Sequence, residues 1–262
     1  MGEYGVDLLG AIDGVAWIML RNPARHNALR LEMWQAIPDV VAAVNADPAV
    51  RVCVIRGHGT DAFASGADIS EFEQHRKDAA SASAYEAVTN RAFAALLELE
   101  KPLVAMIHGF CMGGGLAVSL CADMRIASQD ARFALPAARL GVGYHRAGVE
   151  RLVHVVGPAT AAEIFFAALQ YSAEDALRIG LVNRVLPKDD LEGFTRAYAT
   201  AMAGNAPLTQ RAAKRAIRDT LAGSVGRDDT VERMIAACFE SADYAEGVRA
   251  FLEKRRPRFS GR

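Results

Sequence analysis

The chain carries almost no net charge. Its 262 residues hold 30 Lys and Arg against 31 Asp and Glu, a formal charge of −1. So close a balance creates no long-range field toward nucleic acid or an anionic membrane, and neither is expected as a partner. Long apolar runs are missing too. No window reaches the roughly 18–20 consecutive apolar residues of a membrane span. The first residues lack a basic stretch followed by a continuous apolar segment, so no signal peptide is expected. Four cysteines, Cys53, Cys111, Cys121 and Cys238, lie apart without CxxC spacing. That pattern points to reduced, mostly buried thiols and a cytoplasmic location. Six histidines show no ligand spacing, so no metal site is expected. The one dense glycine run lacks GxGxxG order, which removes the usual signature of a bound dinucleotide.

What is present is a globular composition, 52% apolar and 23% charged, in a chain long enough for a large core. Asp13-Gly14 between two apolar runs predicts a β-hairpin. An amphipathic helix is expected over 31–45, a strand over 51–56, a loop over 60–68 and a helix over 81–100. Lys101-Pro102 ends that helix ahead of a buried strand over 103–107. Short strands follow at 124–127, 131–134 and 184–186, and the last third reads as nearly continuous helix. Strands with interleaved helices, then helices alone, predict an α/β body and a helical tail. The division is placed at 1–195 and 196–262.

The most informative stretch is Met112-Gly113-Gly114-Gly115 between the 103–107 strand and an apolar helix. Glycine lets main chain approach a ligand closely. A helix start presents unpaired N–H groups with partial positive charge. Such a turn can hold a phosphate, a carboxylate or the oxygen of a carbonyl that gains negative charge. A second turn, Ser65-Gly66-Ala67-Asp68, has similar makeup. Cys111, beside the glycines, is a nucleophile candidate only with a basic partner such as His108.

Several motifs, in order, resemble one family. They are Arg21-Asn22-Pro23 with Asn27-Ala28-Leu29; Phe63-Ala64-Ser65-Gly66-Ala67-Asp68-Ile69; Lys101-Pro102 with Gly109 to Gly115; Cys121-Ala122-Asp123; Gly180-Leu181-Val182-Asn183; and an ending from Glu246-Gly247 to Phe259. Together they resemble the enoyl-CoA hydratase/isomerase (crotonase) superfamily along essentially the whole chain. The resemblance implies a spiral of ββα units with a C-terminal helical trimerisation region, and a homotrimer or a hexamer of paired trimers. It implies an acyl-CoA substrate and no permanently bound cofactor. The Ala67 and Gly114 amides would form an oxyanion hole, with Gly113, Asp68 and Ile69 beside the substrate. Arg25, Ala28 and Leu29 would border the adenosine and pantetheine end of coenzyme A. Lys254 would stand near a coenzyme A phosphate, commonly that of a neighbouring subunit.

The chain departs from this family at the two places where its hydratases carry glutamates. Those positions are Ala117 and Ala137, on the substrate-facing wall, and a methyl group neither takes nor gives a proton. General acid–base groups contribute about 10²–10⁴-fold, so the ordinary hydration mechanism is expected to suffer. The segment Tyr144-His145-Arg146 offers replacements. Tyr144 can donate to a carboxylate or protonate an enolate, His145 can serve as acid or base near neutrality, and Arg146 can pair with a substrate carboxylate. Asp68 is expected to cap the helix after it, Glu71 and Glu73 to be solvated, and His108 to be a structural hydrogen-bonding group. Three readings stay open: an enoyl-CoA hydratase or isomerase with a non-standard acid/base set, a decarboxylase or other lyase using Tyr144 and His145, and an acyl-CoA-binding protein without catalysis.

Overall fold

The structure is a computed structural model describing residues 3–75, 77–144, 146–224, 226 and 228–262. The predicted hairpin opens it. Strands β1 (Gly5–Ile12) and β2 (Val15–Arg21) pair antiparallel with Ile12 opposite Val15. Asp13 and Gly14 both take positive φ, 52° and 78°, as the tight turn matching strand twist requires. Helix α1 (Leu31–Ala46) then leads to β3 (Val52–Gly57) and β4 (Ala62–Ala64). The short α2 (Phe72–His75) and the long α3 (Ala79–Leu97) follow, then β5 (Leu103–Ile107), β6 (Phe110–Met112) and α4 (Gly114–Leu120). Next come β7 (Met124–Ser128), β8 (Arg132–Ala134), α5 (Ala137–Leu140), α6 (Arg146–Val156), α7 (Pro158–Ala167), β9 (Tyr171–Ser172), α8 (Ala173–Arg178) and β10 (Arg184–Leu186). Helices α9 (Leu191–Ala203), α10 (Pro207–Leu221), α11 (Thr230–Glu240) and α12 (Ala242–Leu252) complete the chain.

The strands sort into two sheets, ordered β1-β2-β3-β5-β7-β10 and β4-β6-β8-β9. From β2 to β10 the larger sheet is parallel, as are β4, β6 and β8 in the smaller one. The pairs β3 and β4, β5 and β6, and β7 and β8 each give one strand to each sheet before the chain turns helical, which is the spiral of ββα units expected. Parallel strands are covered on both faces, and β3 records it residue by residue. Cys53 and Ile55 enter the core shared with α1 and α3, whereas Val52 and Val54 enter a second core against α9.

Three expectations change. The 60–68 loop contains β4, which pairs parallel with β6, another strand not foreseen. The division at 195 and 196 falls inside α9, whose Leu191, Ala199 and Ala203 are buried against the larger sheet. Glu71, expected in solvent, is buried; it accepts from Arg30 Nε at 2.7 Å and from the Leu31 amide at 2.9 Å. The cause is local, because Arg30 occupies the cap position of α1 and its side chain makes no capping bond. A remote carboxylate supplies the negative charge that a helix start favours.

The two sheets meet at close range near Gly57. A Cβ there would stand 2.1 Å from the Ala62 carbonyl oxygen and 2.5 Å from that of Phe63. Among the described residues no helix is long and apolar enough to cross a membrane. All four cysteines are free, and three are buried.

Candidate active site

Two main-chain turns are locked side by side by buried asparagines and one isolated β-bridge. Asn27 Nδ2 donates to the carbonyls of His58 and Ala62 at 2.9 and 2.7 Å, and Asn22 Nδ2 donates to that of Ala28 at 2.8 Å. The segment so held pairs with the first turn: the Leu29 amide donates to Gly66 O at 2.7 Å and the Asp68 amide to Leu29 O at 3.0 Å. Ala67, between these bonds, has no partner for its own N–H among the described residues. The second turn is held by the Gly113 amide, which donates to Ala134 O at 2.9 Å. Gly113 takes a φ of 49° and starts α4. Neither the Ala67 nor the Gly114 amide donates to a backbone acceptor among the described residues. A Cβ built on Gly114 would lie 3.5 Å from the Ala67 nitrogen, and one on Gly66 would lie 3.8 Å from the Gly114 nitrogen.

These amides border a cavity of about 150 Å³. Its walls include Ile69, Ala67, Gly113, Gly114, Ala137 and Tyr144 from the residues singled out in sequence. Sequence reasoning missed its other side: Trp34 from α1, Phe72, and the stripe Tyr85, Glu86, Thr89 and Phe93 of α3. Tyr85, Thr89 and Phe93 follow the i, i+4, i+8 spacing of a buried helix face, which carries no sign of a ligand, and Glu86 stands exposed beside them. Trp34 Nε1 donates to the Tyr85 hydroxyl at 3.0 Å. The Trp34 ring packs where a Gly114 side chain would be, with Cζ2 at 3.1 Å from that Cβ position.

The remaining candidates stand elsewhere. Leu29 and Ala28 are buried beside the first turn, and Arg25 is exposed 3.9 Å from Asp68. Asp68 Oδ1 accepts from the Ser70 amide at 3.1 Å and hydroxyl at 2.7 Å, the capping role expected of it. Ala117 faces a smaller hollow of about 20 Å³ together with Phe93, Cys121 and Arg151. Arg146 and Lys254 are exposed and line no part of the main cavity. His145 lies outside the described residues.

Burial pushes the Tyr144 phenol well above its ordinary range, with the Cys121 thiol adding to the effect. The phenol edge-packs on Phe165 at 5.1 Å between centroids and stays a protonated donor. Desolvation likewise pushes the Cys111 thiol up to about 12, leaving it no thiolate for attack. His108 is 2% exposed, its Nε2 has no partner among the described residues, and desolvation draws it down to about 4. It stands neutral in the core, and the hydrogen-bonding role foreseen for the residue is not met at Nε2 among the described residues. No group of three metal-ligating side chains occurs among the described residues. Chemically, the site offers two fixed amide donors, an apolar enclosure, a phenol and one carboxylate.

Residues 10–262 match the enoyl-CoA hydratase/isomerase family. Crotonyl-CoA hydratase of Syntrophomonas wolfei is 35% identical over 246 residues, which cover 94% of each chain. The 2,3-dehydroadipyl-CoA hydratase of Escherichia coli is 32% identical over 252 residues, 95% of this chain and 96% of that one. A hydratase/isomerase-family protein from Hyphomonas neptunium has the same fold at a TM-score of 0.93 and 36% identity, with 98% of both chains covered. An enoyl-CoA hydratase/carnithine racemase from Magnetospirillum magneticum follows at 0.91 and 33%, covering 100% of this chain and 97% of that chain.

Proposed function

The chain belongs to the enoyl-CoA hydratase/isomerase family, and from that premise we propose that it binds a coenzyme A thioester with the carbonyl oxygen between the amides of Ala67 and Gly114. The reaction runs through an enolate. A thioester oxygen gains full negative charge when its α-carbon loses a proton or a carboxyl group, or when a nucleophile adds at the β-carbon. Fixed N–H donors then bind it more strongly than they bind the ground-state carbonyl. One such donor lowers the barrier by roughly 3–4 kcal/mol. The observation carrying this reading is the pair of unused amides, close together and open to one apolar cavity.

The products are those of an enoyl-CoA lyase or isomerase. Tyr144, held protonated by its surroundings, gives a proton to the enolate, and His145 is the second acid/base candidate. Arg25 and Lys254 meet the coenzyme A phosphates, where cations are favoured, and Ala28 and Leu29 border the pantetheine. The methyl groups of Ala117 and Ala137 favour a second reading, in which a carboxylated acyl-CoA loses CO₂. That step needs enolate stabilisation but no base. The apolar faces of α11 and α12 support assembly into trimers or paired trimers, and the buried free thiols fit a reducing cytoplasm.

Calorimetric titration with coenzyme A thioesters of several chain lengths tests the premise: binding is expected, and silence across the series sinks it. A mass-spectrometric screen of enoyl-, hydroxyacyl- and carboxyacyl-CoAs then identifies the reaction. Crotonyl-CoA hydration is expected at about 10²-fold or more below that of glutamate-bearing relatives, read in the ultraviolet.

A further inference from the structure

The cavity holds a carboxylate that neither the motifs nor the family likeness draws attention to. Glu86 sits on α3 three residues before Thr89 and seven before Phe93, and all three line the cavity. Those separations put them on one helix face. Among the described lining residues, Glu86 is the only Asp or Glu. Its carboxylate makes no hydrogen bond or ion pair among the described residues, although its main-chain carbonyl accepts from Thr89 Oγ1 at 3.0 Å. The side chain stands exposed at the cavity wall, so it is hydrated when the site is empty and needs no partner.

Position ties Glu86 to the oxyanion turn. Its neighbour Tyr85 accepts the Trp34 indole N–H, and the Trp34 ring lies against Gly114. The helix face bearing Glu86 is thus braced, through two aromatic side chains, against one of the two amides. The same cavity is lined by Ala137 and Tyr144, which offer a methyl group and a phenol that burial holds above its ordinary range. A protonated phenol can give a proton but is poorly suited to take one from carbon, whereas a carboxylate can do both.

We propose that Glu86 is the base of this site, acting on thioesters with a hydrogen at the α-carbon. The inference rests on the thioester reading above. In the step, a Glu86 oxygen bonds the α-proton as the C–H bond breaks. The released pair forms the Cα–C double bond, and the carbonyl oxygen takes the negative charge between the Ala67 and Gly114 amides. The carboxyl group then returns its proton. Return to the same carbon gives exchange with solvent, and return further along a conjugated chain gives isomerisation. Nothing is oxidised and no co-reactant is consumed.

Incubation of the intact chain with butyryl-CoA in deuterated water tests this, because the α-carbon gains mass whatever the natural acyl group is. The wild-type chain is expected to exchange. Glu86→Gln should slow exchange by about 100-fold or more, while its calorimetric affinity for butyryl-CoA stays within about twofold. Glu86→Ala should regain part of the exchange on addition of formate, a response that loss of a merely structural side chain would not give. Exchange at the wild-type rate in Glu86→Gln overturns the proposal, as does failure of formate to restore it. So does a wild-type chain that binds butyryl-CoA yet never exchanges. A chain that binds no thioester at all would instead overturn the parent reading and this one with it.

Discussion

Gly114 takes part in two constraints at once, since its amide faces the cavity and its missing side chain makes room for Trp34. Its φ is not positive, so alanine suits the backbone there. The methyl alone matters: it would stand 3.1 Å from Trp34 Cζ2 and 3.5 Å from the Ala67 nitrogen. Gly114→Ala is therefore expected to fold with stability lowered by about 1–3 kcal/mol, since the buried Trp34 ring must shift, while turnover of its best thioester falls about 10- to 100-fold, the scale of one weakened donor. His108 gives a prediction of another kind. Its buried ring has a pKa drawn from 6.5 to about 4. The unfolded chain thus binds more protons between those values, and stability is full above 6.5 and drains away as pH falls toward 4. The shift corresponds to roughly 3 kcal/mol. Denaturant titrations at pH 7 and pH 4.5 should show a smaller loss for His108→Gln than for the unchanged chain. The sequence made the glycines and alanines of this site readable because each sits in an ordered motif. Glu86 was not readable, since a glutamate on a helix with mixed faces looks like any solvated one until the fold turns that face inward.

At the scale of elements, the long segments were legible and the short ones were not. Asp13-Gly14 announces its own turn, and α1, α3 and α10 span enough residues for their periodicity to speak. Strands of three residues such as β4, β6 and β8 are too brief for alternation, and β9 has only two residues. Their pairing depends on partners 22 to 48 residues away along the chain. The smaller sheet, which carries the turn before Ala67, thus emerges only in three dimensions. Its closeness to the larger sheet can be tested at Gly57. A methyl there meets two carbonyl oxygens of main chain that cannot swing aside. Gly57→Ala is expected to lower unfolding free energy by about 3 kcal/mol or more, measured by urea titration.

The whole molecule leaves apolar surface uncovered at its C-terminal end. Phe239, Phe251 and Leu252 are 63%, 83% and 75% exposed, around an apolar groove of about 700 Å³ between α10, α11 and α12. Single chains seldom carry so much contiguous apolar surface in water. Light scattering is expected to find a trimer or hexamer, and Phe251→Glu should shift the population toward single chains. The place where body gives way to tail is not legible in sequence, because α9 shares the helical pattern of the tail yet buries its apolar stripe on the sheet. Periodicity reports that a stripe exists without saying what covers it. The turns at Ala67 and Gly114, by contrast, need no side chain for the two amides that the proposed function assigns to the thioester oxygen. Every residue but proline brings an N–H, so many of the surrounding wall residues can change by mutation while the two amides remain. A scaffold of that kind can drift from one reaction to another without first losing its hold on the substrate's common handle.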